Sequence, residues 1–98
     1  MARIRWTNQA LADLEAIGNF IARDAPSVAH VFVDNVFEAV KRLEVLPRSR
    51  RVVPEIGQEN IREILFGSYR IVYGIGEEEG NILTVFHASR PFRPSDLL

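Results

Sequence analysis

The spacing of apolar positions switches from a period of two to one near 3.6 and back again, and each switch marks a change of element. In Arg3–Trp6 the apolar residues Ile4 and Trp6 alternate with arginines, which predicts a short strand. Thr7 is a plausible N-cap, because its hydroxyl can accept an exposed amide of a first helical turn. From Ala10 onward Leu11, Leu14, Ile17, Phe20 and Ile21 recur every three or four positions, so the spacing predicts a helix with one apolar stripe. Asp13 and Glu15 are expected on its outer side. Pro26 disfavours helical geometry in Ala25, so this helix should end near Asp24. Pro26 and Ser27 open a second helix, which Pro47 ends. Its main stripe is Val28, Phe32, Val36, Ala39, Leu43 and Leu46, and an offset stripe is Val33, Phe37 and Val40. A helix apolar over more than half its girdle is either buried between sheet and first helix or turns Val33 and Phe37 toward a partner chain. The short link between the two helices implies an antiparallel hairpin.

Residues 48–58, punctuated by Pro54 and Gly57, read as a loop. Two β-rich runs then flank Gly67-Ser68, a two-residue link that suits a type II′ turn because Gly accepts a positive φ. Alternation places Tyr69, Ile71, Tyr73 and Ile75 on one face of the second run, and Arg70, Val72 and Gly74 on the other. An acidic turn with Glu77, Glu78 and Glu79 precedes a further strand over residues 82–88. Pro91 and Pro94 break the tail. The order β-α-α-β-β-β describes a single α+β domain over residues 1–98. A helical hairpin would pack on one face of a small, mostly antiparallel sheet, leaving the other face open.

Composition removes several function classes. The 98 residues contain no cysteine, hence no disulfide framework and no thiolate metal site. No apolar run approaches the roughly 18 residues of a membrane span, and the N-terminus lacks an apolar signal core, so a cytoplasmic location is the expectation. The net charge of −1 argues against a general nucleic-acid binder. Locally, though, Arg48, Arg50 and Arg51 cluster just before the hairpin.

Candidate chemistry centres on arginine. Arg62 and Arg70 sit within the hairpin, and His87 and Arg90 close the last strand. Arginine clamps a phosphate with two donors, and histidine exchanges protons near neutral pH. Together they suit a metal-free ribonuclease, in which the 2′-hydroxyl of RNA attacks its own phosphate while the protein moves protons and neutralises charge. The alternative is that both arginines pair with Glu63 or Glu55 on a solvated face, and that His87 is a hydrogen-bonded structural residue. The sequence offers no phosphate-cradling glycine loop, and its histidines form no metal cluster, so no metal or other cofactor is expected.

Several segments, in order, resemble the RelE/ParE family of bacterial toxins. They are Trp6-Thr7, residues 12–17 (Ala-Asp-Leu-Glu-Ala-Ile), Leu46-Pro47, residues 51–55 (Arg-Val-Val-Pro-Glu), residues 61–63, residues 69–73 (Tyr-Arg-Ile-Val-Tyr) and residues 87–90 (His-Ala-Ser-Arg). The resemblance implies the toxin of a type II toxin–antitoxin system, with a cognate antitoxin as partner in a hetero-oligomer. Family members divide between ParE-like inhibitors of DNA gyrase and RelE-like ribonucleases that cut mRNA on the ribosome. For the nuclease reading, Arg70 and Arg90 match family arginines, Arg62 stands near family lysines, and His87 is the proton carrier. The late tyrosine of RelE-like enzymes has no counterpart, and the His-x-x-Arg ending is closer to ParE-like members. Contacts to partners are expected at Val33, Phe37, Arg51 and Phe92.

Overall fold

A computed structural model describes residues 2–97. The elements follow the pattern: β1 (Arg3–Trp6), α1 (Asn8–Ala22), α2 (Pro26–Lys41), β2 (Arg51–Val52), β3 (Ile61–Phe66), β4 (Tyr69–Ile75) and β5 (Glu79–His87). Thr7 caps α1, its Oγ1 accepting the Ala10 N–H at 3.1 Å. Pro26 occupies the first turn of α2. Helix α2 stops at Lys41, and a 3-10 turn over Arg42–Glu44 carries Leu43 into the core. Leu46, assigned by spacing to the same stripe, is instead exposed. Gly67 takes φ +56 between β3 and β4, the sign a type II′ turn requires.

The sheet order is β1-β5-β4-β3-β2, with β1 parallel to β5 and the other pairs antiparallel. Strand β2 is a two-residue edge strand inside the segment expected to be a loop. The helices cover one face, burying Leu14, Val36, Val40 and Leu43 against Ile64, Ile71, Tyr73, Ile82 and Val85.

The opposite face is not open, which corrects the sequence expectation. Val53, Val72, Phe86 and Phe92 form a second core there, contributed by the turn after β2, by the sheet and by the tail. The tail folds back over the sheet and ends in a 3-10 turn, Pro94–Leu97, whose Leu97 packs against this cluster. β4 is the central strand, and its uninterrupted Ile71-Val72-Tyr73 is buried on both sides.

One irregularity decides where the last strand aims its side chains. The β4–β5 register shifts between Val72 and Tyr73, so that Val72 opposes Thr84 while Tyr73 opposes Ile82. A bulge of one residue inverts the facing of everything after it. Val85 therefore joins Ile82 on the helix side, Phe86 turns to the opposite side, and His87 returns to the helix side against Tyr69. Two side chains of the α1 segment hold this bulge. Thr7 Oγ1 donates to the Ile82 carbonyl at 2.7 Å. Asp13 Oδ2 accepts from Thr84 Oγ1 at 2.6 Å and from the Val85 N–H at 3.1 Å. Asp13 thus faces the sheet rather than the outer side expected of it.

Candidate functional site

Arg70 is the one buried cation among the described residues, and every nitrogen of its guanidinium is engaged. It lies on β4 opposite Leu65 and Phe86, on the face away from the helices. Its Nε donates to Glu63 Oε1 at 2.6 Å. Its Nη1 and Nη2 donate to the two carboxylate oxygens of Glu55, each at 2.7 Å. Its guanidinium carbon also lies 5.3 Å from the Phe86 ring centroid and 5.4 Å from that of Phe92, two rings that stack at 4.9 Å. The Arg70 side chain is 8% exposed and that of Glu63 0%. Arg51, half-exposed, donates from Nε to the second Glu63 oxygen at 2.6 Å. The outcome is a two-arginine, two-glutamate cluster. The pairing with Glu55 and Glu63 considered from sequence is present for Arg70, but in a covered site instead of on a wet face.

The other proposed site residues do not converge on Arg70. Arg62 opposes Tyr73 and so lies on the other side of the sheet. Its guanidinium donates to the carbonyls of Arg48, Arg50 and Glu59 at 2.9 to 3.1 Å and to the Glu59 carboxylate at 3.2 Å, pinning the segment that precedes β2. His87 is exposed on the helix side, edge-on to Tyr69, with Nδ1 accepting the Ser89 N–H at 3.1 Å. Arg90 does share the face of Arg70. It sits 5.2 Å above the Phe86 ring, with its side chain 54% exposed and only a loose 3.9 Å contact to Asp96. The expected patch of three arginines and one imidazole is therefore split two and two across the sheet. The bulge in β5 is the cause for His87, since an unbroken alternation from Ile82 would have put it beside Arg70. No sequence signal announced that bulge.

Hydrogen bonds from Arg70 hold the Glu55 carboxyl down at about 2, against an ordinary 4.5, with partial burial opposing the shift. A depressed carboxylate pKa stabilises the fold above the unfolded-state value and loses that contribution as pH falls through the folded value. The stability advantage of the native chain over Glu55→Gln should accordingly be constant above about pH 5.5 and shrink from about pH 4.5 toward pH 2. Urea unfolding of both chains across that range checks this. An advantage that grows on acidification would refute it.

The second candidate surface lies on the outer side of the helices. A groove of about 420 Å³ runs between α1 and α2, lined among others by Leu11, Gly18, Ala29, Val33 and Phe37. It exists because Gly18 lets the helices approach. A Cβ there would stand 3.3 Å from Val33 Cγ2. Phe37 is 42% exposed and packs its ring 4.9 Å from Trp6. Val33 is partly buried beside Gly18, so the two residues expected at a partner surface do line one groove. Of the other two, Arg51 is accessible at the sheet edge, whereas Phe92 is turned inward onto Phe86. Among the described residues no helix is long and apolar enough to cross a membrane.

The family model for the ParE toxin of the type II toxin–antitoxin system parDE matches residues 4–92. The chain belongs to the ParE toxin family. It is 38% identical over 89 residues to the toxin candidate Y4kP of Sinorhizobium fredii (strain NBRC 101917 / NGR234), covering 88% of each chain. Its fold matches that of a chain from the chromosomal ParDE system of P. aeruginosa with a TM-score of 0.75 at 23% identity, over 89% of this chain and 96% of the other. A chain from the RelBE2 toxin–antitoxin complex of Mycobacterium tuberculosis matches with a TM-score of 0.55 at 21% identity, over 88% and 96%. The α+β architecture read from the sequence is thus the architecture of ParE and RelE structures.

Proposed function

We propose that this ParE-family toxin arrests growth by binding DNA gyrase, not by cutting mRNA. The observation that carries this reading is the separation of the candidate nuclease residues. Arg62 and His87 lie on one side of the sheet, and Arg70 and Arg90 lie on the other. A general base must reach its proton within hydrogen-bond distance, and a sheet between base and arginine clamp prevents that. A binding role is supported by the accessible groups on the second face: Arg90 over Phe86, Arg51 at the edge, and a 55%-exposed Leu65 on β3. Purified toxin should stall a gyrase supercoiling reaction and leave mRNA intact in a translation extract. Cleaved mRNA with unimpaired supercoiling would reverse the assignment. Silence in both, with no growth arrest on expression, would reduce the chain to an antitoxin-binding relative.

The interhelical groove is the surface we assign to the antitoxin. A preformed apolar channel between two helices suits an amphipathic segment whose apolar residues enter at helical spacing. Phe37→Glu places a charge in the groove and should weaken the complex at least tenfold. Because Phe37 also touches Trp6, the melting curve of the free toxin is the control. Unchanged affinity in a folded variant would remove the antitoxin from this groove.

A further inference from the structure

The chain commits interior side chains to holding a segment whose own side chains face solvent. Between the 3-10 turn and β2, Val45 is 65% exposed and Leu46 61%, with Pro47 beside them. Single exposed apolar side chains are ordinary, but an adjacent pair followed by a proline forms a patch. The backbone beneath this patch is fixed. The N–H groups of Val45 and Leu46 both donate to the Arg42 carbonyl at 3.2 Å. Of the five carbonyls in residues 46–50, four accept from side chains. Ser49 Oγ donates to Leu46 at 2.7 Å, and the hydroxyl of buried Tyr73 to Pro47 at 2.7 Å. Arg62 donates to Arg48 and Arg50 at 3.1 and 2.9 Å. Core packing does not ask for this, since neither Val45 nor Leu46 belongs to either core. An apolar knuckle that is rigid before its partner arrives loses little conformational entropy on entering a pocket.

The charges around the knuckle describe that partner. Lys41, Arg42, Arg48 and Arg50 flank it in sequence, and none makes an ion pair among the described residues. Glu38 and Glu44 lie beside Lys41 and Arg42, and Glu77 and Glu78 border the Pro47 side. The depression shared by Leu46, Arg48 and Ser49 has no carboxylate among its lining residues. We infer that Val45 and Leu46 are the apolar anchor by which the toxin docks on gyrase, entering a pocket of that protein whose rim carries carboxylates on the Arg48 side. Apolar insertion selects a protein, whereas a nucleic acid would be held by the arginines alone. Tyr73 and Arg62 are positioning residues for this anchor. The inference rests on the gyrase reading and adds an anchor that reading does not name.

The test is titration of purified gyrase, without DNA, with the full chain and its Leu46→Asp, Arg48→Glu and Tyr73→Phe variants. Melting curves establish that each variant is folded at the assay temperature. Leu46→Asp should weaken binding at least tenfold. Arg48→Glu should slow association and flatten its dependence on salt. Tyr73→Phe leaves Leu46 in place but frees the Pro47 carbonyl, and should weaken binding about threefold in a folded chain. Full affinity in a folded Leu46→Asp chain overturns the anchor and leaves the gyrase reading standing. Weakening by Arg48→Glu alone assigns the surface to a nucleic acid and also overturns it. Full affinity in folded Tyr73→Phe removes the positioning role. A native chain that leaves gyrase unbound removes the gyrase reading and this inference with it. If Leu46→Asp and Leu46→Ser both fail to fold, Leu46 serves the fold and not a partner, which overturns the inference as well.

Discussion

Glu63→Ala should destabilise the chain by about 3 kcal/mol, the low end of the range for breaking a buried ion pair. The carboxylate has no exposed surface and receives the Nε of Arg51 and of Arg70, each at 2.6 Å. Its removal strands part of a guanidinium that is itself 8% exposed. The loss stays at the low end because Glu55 still grips the outer fork of Arg70. For a domain of this size the shift in melting temperature is roughly 10–20 °C. Arg51→Ala removes a half-exposed partner of the same carboxylate, and about 1 kcal/mol or less is expected. Equal losses for the two variants would mean that the cluster is as wet as a surface pair.

Asp13→Ala carries the second-largest expected effect, about 2 kcal/mol, because it leaves both the Thr84 hydroxyl and the Val85 N–H without an acceptor. Both belong to buried residues of β5. Asp13→Asn keeps one oxygen acceptor and should recover about half of that loss. Amide hydrogen exchange separates this account from a general loss of helix stability. Protection should fall first at Val85 and its β5 neighbours, while amides in the middle of α2 keep theirs. Uniform loss across the chain would show that Asp13 serves α1 and not the bulge.

The helices and the hairpin were legible in the sequence because local rules specify them. A hydroxyl cap at Thr7, a proline at the start of α2 and a glycine at the β3–β4 turn each act within a few residues. What stayed hidden depends on contacts between distant segments. The covering of the second sheet face needs Phe92 to find Phe86 and Val53 to find Val72. The one signal for it was the contiguous apolar run in β4, which a one-sided sheet does not need. The placement of His87 turns on a bulge held by Thr7 and Asp13, more than seventy positions upstream of the atoms they bind. Glu63 gave no sign of burial, since a carboxylate between Arg62 and Ile64 in a strand reads as a solvated position until Arg51 and Arg70 are brought to it.

The central claim is that Arg70 is paired and covered instead of displayed. Nitrogen NMR of the arginine side chains measures this directly through exchange of the Nε protons with water. The account predicts a slowly exchanging Arg70 Nε–H, held by Glu63, next to rapidly exchanging signals from half-exposed Arg90 and exposed Arg93. An Arg70 Nε–H that exchanges as fast as that of Arg93 would contradict it.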